Sequence, residues 1–331
     1  MKITVLSDGA WGTALALNLL DNRHSVSQWG PFPDYLAEME RTRENSRFLP
    51  GVALPRELRF VPEMAEAVRD SEILLLATPT QFLRGVLETL KPHFRPDRQL
   101  LVNVAKGIEL ESWLRISQVV DEVLGADHRY VALSGPSHAE EVSRKVPTAV
   151  VAASAGNEDA ERVQNTFRNG NFRVYTSQDV VGVELGGALK NVMAIAAGII
   201  DGMKLGDNPK AAMMTRGIAE MGRLGEMLGG KAATFSGLSG IGDLIVTCTS
   251  GHSRNRYVGE ELGRGRRLPE ILKAMKMVVA EGVTTARGAR ALARKVGADT
   301  PIIDEIHAIL YEERNVPDAI RNLMCRSAKP E

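Results

Sequence analysis

Short apolar runs alternate with longer stretches of 3.6-residue periodicity through the first half of the chain. Residues 3–6 form an apolar run, and residues 11–20 repeat their apolar positions as a helix does. Residues 25–29 read as the next strand, and residues 73–77 as a buried strand stopped by Pro79. Runs at 100–104, 130–133 and 148–153 continue the series, 158–167 predicts a helix, and 172–175 a last strand. Strands that are apolar throughout, separated by helices, predict a mostly parallel sheet covered on both faces.

The pattern changes near Ser177-Gln178-Asp179. Beyond it the periodicity is helical, over 187–202, 211–228, 253–262, 268–275, 284–296, 302–312 and 317–324. Gly229-Gly230 supplies a helix stop. The expectation is an α/β domain over 1–178 with a mostly parallel, Rossmann-like sheet, followed by an all-α domain over 179–331.

At 331 residues and 44% hydrophobic, the chain is long and apolar enough for two cores. Its 41 basic residues balance 41 acidic ones, which argues against a nucleic-acid or other polyanion binder. Cys248 and Cys325 are the two cysteines; they form neither a disulfide framework nor a zinc pattern, so no metal is expected, and a cytoplasmic, reducing setting fits. The opening apolar run is too short for a signal peptide and is interrupted by Asp8. No apolar stretch approaches the ~18 residues of a membrane span.

The turn Ser7-Asp8-Gly9-Ala10-Trp11-Gly12 lies between the first strand and first helix. In G-x-G-x-x-G turns the first glycine makes the bend, the second admits the pyrophosphate, and the third lets helix and strand close up. Gly9 and Gly12 hold the second and third positions; Ser7 stands at the first. The end of the second strand usually separates NAD from NADP, through an acid or an arginine. Trp29-Gly30-Pro31-Phe32 offers neither, and Asp34 reads as a helix opener, so both cofactors stay open.

Four further segments concentrate glycine, charge and hydroxyls. They are Asn103-Val104-Ala105-Lys106-Gly107, Leu133-Ser134-Gly135-Pro136-Ser137-His138-Ala139, Gly186-Gly187-Ala188-Leu189-Lys190-Asn191, and Gly237-to-Leu244 with Thr247 and Ser253-Arg254-Asn255 beyond it. Plainer roles suit several of them. Lys106 fits a solvated lysine, Gly135-Pro136-Ser137 a turn, Asp243 a cap, Arg264 to Arg267 a solvated loop, and Cys248 a buried thiol. Lys190 differs, because its neighbours leave it little polar face.

Together, Gly182 to Val192, Leu133 to Ser137, Gly237 to Leu244 and Ser253-Arg254-Asn255 resemble the signatures of the NAD(P)-dependent sn-glycerol-3-phosphate dehydrogenases, closest to the bacterial type. Asn45 to Pro50 and Ala77 to Gln81 fit as well. The resemblance implies hydride transfer between C2 of sn-glycerol 3-phosphate or dihydroxyacetone phosphate and NAD or NADP, supplying glycerol 3-phosphate for phospholipid synthesis. It implies Lys190 as general acid/base, with Lys106 and Asp243 in the catalytic group. It also implies substrate contacts from Lys106, Gly135, Ser137, Asn191, Asp243, Thr247, Ser253, Arg254 and Asn255. Cofactor contacts fall on Ser7, Gly9, Ala10, Trp11, Gly12, Pro31, Lys106, Ala139, Arg254, Val279 and Glu281, and a homodimer is implied. Pro31 replaces the family's basic or imidazole side chain. Desolvation and repulsion by Lys106 would lower the Lys190 pKa, and Asp243 would oppose them. A related β-hydroxyacid dehydrogenase would not need Ser253-Arg254-Asn255, and a sensor without turnover would not need Lys190 and Asp243.

Overall fold

The computed structural model describes residues 1–275 and 279–328; the last three residues of the expected helical domain, 329–331, lie outside them. The chain divides into two compact units. The first comprises residues 1–106 and 114–184, the second residues 107–113 and those from 185 onward.

The first unit is a sheet with helices in its connections. In chain order it contains β1 (Lys2–Leu6), α1 (Ala10–Asp21), β2 (Ser25–Trp29), α2 (Pro33–Thr42), β3 (Glu44–Asn45), β4 (Leu49–Ala53), β5 (Arg59–Phe60), α3 (Met64–Val68) and β6 (Ile73–Leu76). Then follow α4 (Thr80–Leu90), β7 (Leu100–Asn103), α5 (Ile116–Leu124), β8 (Arg129–Ser134), α6 (Ala139–Val142), β9 (Thr148–Ala153), α7 (Asn157–Phe167) and β10 (Phe172–Ser177). Eight strands pair in the order β10-β9-β8-β7-β6-β1-β2-β5, all parallel except β8 against β9. β1 is an interior strand, with Leu6 between Trp29 of β2 and Leu76 of β6.

Both faces are buried, which explains the unbroken apolar strands. Ile3, Val5, Ile73 and Leu75 join one core cluster, while Leu6, Leu74 and Leu76 join another. β3 and β4 form a separate antiparallel pair. Sequence periodicity does not reveal β3 or β5, because two residues are too few to show a repeat.

The second unit is helical. Its helices are α8 (Val180–Gly202), α9 (Asp207–Met227), α10 (Ala232–Phe235), α11 (Asp243–Thr249), α12 (Arg254–Gly263), α13 (Leu268–Ala274), α14 (Glu281–Val296), α15 (Pro301–Tyr311) and α16 (Val316–Met324). The first turn of α8 belongs to the sheet unit. α8 begins seven residues before the expected 187. Gly186 looks like a breaker, but it is where Ser239 O approaches: a Cβ there would lie 2.4 Å from that oxygen. α9 also starts early, at Asp207, with Pro209 in its first turn, where no intrahelical N–H is lost. It stops as expected, with Gly229 at φ 95°.

Helices α8 and α12 meet through four glycines. A Cβ at Gly198 would fall 2.0 Å from Arg256 O, and one at Gly202 2.1 Å from Glu260 O. Reciprocally, a Cβ at Gly259 would fall 2.0 Å from Ile195 O, and one at Gly263 2.5 Å from Ile199 O. By length and composition α8 could cross a membrane, but its most apolar window is entirely buried within the protein.

Candidate active site

In the sheet unit, the turn after β1 has the geometry a pyrophosphate needs. The first helical bond of α1 runs from Thr13 N–H to Gly9 O (3.0 Å), so the amides of Ala10, Trp11 and Gly12 precede the ladder. Such amides and the helix dipole favour an anion. A Cβ at Gly12 would lie 3.0 Å from Val5 Cγ1 and 3.2 Å from the Ala77 Cβ, so the third glycine sits where helix and strand close up. Ser7 takes the first position without positive φ. Its Oγ accepts the Gly9 N–H (3.0 Å), and its N–H donates to Trp29 O (2.9 Å).

A buried polar net backs the turn. Gln28 Nε2 donates to Ser7 O (2.8 Å) and Thr13 Oγ1 (2.9 Å). Asn45 Nδ2 donates to Asp8 O and Thr13 Oγ1, both at 2.8 Å. Two buried atoms of this turn, Asp8 Oδ2 and Trp11 Nε1, lack a hydrogen-bond partner among the described residues. Amides ahead of the helix, a glycine packed closely against the strand side chains, and orphaned buried polar atoms all fit a bound dinucleotide. Pro31 is exposed just beyond β2, and Asp34 lies in the first turn of α2.

A second group lies beyond β7 and β8. Lys106 Nζ donates to Gly135 O (2.9 Å) and reaches Ser137 Oγ at 3.4 Å; Ser137 Oγ donates to Gly135 O (2.8 Å). Gly135 has φ 146°, and a Cβ there would lie 2.9 Å from the Val150 Cα, so glycine is required twice over. Ala139 opens α6 beside this turn. Glu184, in the first turn of α8, accepts from Arg115 Nη1 (2.5 Å), Ser117 N–H (2.8 Å), Ser117 Oγ (2.7 Å) and Tyr130 OH (2.6 Å). Glu184 lies within a signature segment, but four donors converging from other elements are not visible in a linear pattern.

In the helical unit, Lys190 and Asp243 form a buried ion pair. Nζ donates to Asp243 Oδ1 (2.5 Å) and to Thr247 Oγ1 (2.7 Å), with the side chains 8% and 1% exposed. Asp243 opens α11, reached through the wide turn Leu238–Gly242. Gly240 permits that turn, since a Cβ there would lie 2.1 Å from Phe235 O. Thr247 Oγ1 donates back to Asp243 O (2.6 Å), one turn earlier, which aims its oxygen at Lys190. Cys248 is buried in the same helix, and burial pushes its thiol up to about 12, against the lowering charge of Lys190.

The start of α12 supplies the third element. Ser253 caps it, its Oγ accepting from Arg256 N–H (3.2 Å). The first ladder bond is Tyr257 N–H to Ser253 O (3.0 Å), leaving the Arg254 and Asn255 amides ahead of it. Arg254 is half-buried and, among the described residues, its guanidinium has no hydrogen-bond or ion-pair partner. Asn255 and Asn191 are engaged with each other: Asn255 Nδ2 donates to Asn191 Oδ1 (2.9 Å), and its Oδ1 accepts Gly282 N–H (2.9 Å). Glu281 opens α14 next to that glycine, and Val279 precedes it, half-buried. No group of acidic, histidine and cysteine side chains able to hold a metal occurs among the described residues.

A dinucleotide turn on a mostly parallel sheet, joined to a helical unit with a buried lysine–aspartate pair, defines a two-domain dehydrogenase. Comparison with known proteins narrows this. Residues 2–160 match the family model for the N-terminus of NAD-dependent glycerol-3-phosphate dehydrogenase, and residues 179–321 match its C-terminus. The glycerol-3-phosphate dehydrogenase (NAD(P)+) of Prosthecochloris aestuarii is 50% identical over 333 residues, covering 100% of both chains. That of Bacillus subtilis is 47% identical over 332 residues, covering 100% of this chain and 96% of its own. The crystal structure of the Coxiella burnetii glycerol-3-phosphate dehydrogenase aligns at TM-score 0.94 and 36% identity, covering 98% of this chain and 99% of that one. The chain belongs to the NAD-dependent glycerol-3-phosphate dehydrogenase family.

Proposed function

We propose that the protein interconverts sn-glycerol 3-phosphate and dihydroxyacetone phosphate with NAD(H) or NADP(H), and that Lys190 handles the proton at the C2 oxygen. The observation carrying this reading is the buried Lys190–Asp243–Thr247 cluster, in a chain whose residues 2–160 and 179–321 match this family. The bound nicotinamide would supply or accept the hydride. In reduction, Lys190 gives a proton to the alkoxide developing at C2; in oxidation it takes the hydroxyl proton as C2 loses hydride. Asp243 balances the charge on Nζ, and with Thr247 holds Lys190 in one rotamer.

Arg254 binds the substrate phosphate, aided by the Ser253 hydroxyl and the amides at the start of α12. Asn191 and Asn255 set this helix start against α8. Lys106, Gly135 and Ser137 make the substrate contacts of the sheet unit, and Lys106 adds positive charge. The cofactor lies along Ser7, Gly9, Ala10, Trp11, Gly12 and Pro31, with Ala139, Val279, Glu281, Lys106 and Arg254 completing its contacts. The protein acts as a cytoplasmic homodimer and feeds phospholipid synthesis.

The test is direct. Purified protein given dihydroxyacetone phosphate oxidises NADH or NADPH, followed by loss of reduced-nicotinamide absorbance. Folded protein that binds cofactor yet oxidises neither would be a sensor, and the reading would fail.

A further inference from the structure

The cofactor's adenosine ribose is usually recognised by an acid at the end of the second strand. β2 ends at Trp29 and is followed by Gly30 and Pro31, so that acid is missing from its usual place. The fold brings one from the neighbouring strand. A Cβ on Gly30 would lie 2.9 Å from the Asp8 Cβ and 3.0 Å from both its Cγ and Oδ2. The Asp8 carboxyl therefore lies over the end of β2, in space that any side chain at position 30 would fill. Gly30 is buried and lacks positive φ, so glycine there serves room rather than backbone freedom.

Three observations say that this carboxyl is arranged for a ligand. Asp8 is 7% exposed, yet among the described residues its buried Oδ2 has no hydrogen-bond partner. Burying an acceptor without a donor is unfavourable, most of all for a charged group, so it persists where something later supplies the donor. Its backbone is held independently, through Asn45 Nδ2 to Asp8 O (2.8 Å), so the side chain is not what anchors the turn. The charged group whose field reaches it, Arg47, is already occupied: its guanidinium stacks on the Tyr35 ring, 4.0 Å from the centroid, and reaches Glu38 at 3.3 Å.

We infer that Asp8 is the ribose-binding acid of this chain, accepting hydrogen bonds from the adenosine ribose hydroxyls and thereby selecting NAD(H) over NADP(H). A 2′-phosphate would remove one donor and set an anion against a carboxylate. Burial raises the Asp8 carboxyl above the ordinary carboxylate range, while its own backbone N–H and Arg47 pull it down. A group so desolvated gains more from a hydroxyl donor than an exposed one would. The inference rests on the cofactor reading above and deepens it from either nicotinamide cofactor to one.

The experiment is equilibrium binding of NADH and NADPH to the intact protein by titration calorimetry, without substrate. Wild type should bind NADH more tightly than NADPH by about tenfold or more, the scale of a charge-assisted hydrogen bond. Asp8→Asn and Asp8→Ala should each shrink that ratio by about tenfold, chiefly by weakening NADH. A wild type that prefers NADPH, or a ratio left within about twofold by whichever variant folds, would overturn the role of Asp8. Folded wild type that binds neither cofactor would instead overturn the cofactor reading itself, and this inference with it.

Discussion

Lys190 shows how one residue's role depends on where its neighbours put it. Its apolar neighbours in sequence announce a buried lysine, but only the fold supplies Asp243 and Thr247, more than fifty positions away. Arg254 is a complementary case, a guanidinium without a partner among the described residues. Arg254→Ala is expected to raise KM for dihydroxyacetone phosphate by about tenfold to a hundredfold, from loss of a charge-assisted phosphate contact. An unchanged KM in steady-state kinetics would remove it from the phosphate site. The two cysteines should separate cleanly. Cys325 is exposed, whereas burial pushes Cys248 up to about 12. One thiol should react promptly with Ellman's reagent in native protein, and the second only in denaturant; two prompt thiols would contradict the packing of α11.

Between elements, the four glycines of α8 and α12 matter more than their sequence suggests. They read there as small residues in apolar helices, because no linear pattern tells that Gly198 and Gly202 will face Gly259 and Gly263. Gly259→Ala should destabilise the fold by roughly 1–3 kcal/mol or more, since its Cβ would meet a backbone oxygen that cannot swing aside. A denaturant midpoint equal to wild type would refute the close approach. Glu220 joins α9 to α15, accepting N–H from Ile302 (3.0 Å) and Ile303 (2.9 Å). Burial raises its pKa from 4.5 to about 7, against the pull of those two N–H groups. The folded state thus holds this proton more tightly than the unfolded chain. Its contribution is fully present below about pH 4.5, declines as pH rises to about 7, and is flat above; the span is roughly 3 kcal/mol. Glu220→Gln should remove this slope from urea melts at pH 5 and pH 8; an identical slope in the variant would contradict the assignment.

Across the whole molecule, the sheet was legible because strands buried on both faces are apolar without interruption, as Ile73–Leu76 shows. The helical half was legible in kind but not in its boundaries. Gly182 and Gly186 disguised the start of α8, and α11 is too short to display a period. The motifs pick out candidate site residues, but not which of them meet. Lys106 with Gly135 and Ser137, or Asn191 with Asn255, are contacts of the folded chain. The acid at the end of β2 is hidden most completely, because it stands not along β2 but in the turn that follows β1. The balance of 41 basic and 41 acidic residues leaves no net charge to steer an anion by a field over the whole surface.

The central claim is that Lys190 moves the proton at C2. Its most direct test is turnover of NADH with dihydroxyacetone phosphate by Lys190→Ala, with Lys190→Met alongside, each checked for cofactor binding by calorimetry. The expected result is cofactor affinity within about twofold of wild type, with turnover lowered by at least about a hundredfold, the scale of general acid–base catalysis. Turnover near the wild-type rate in either folded variant would contradict it.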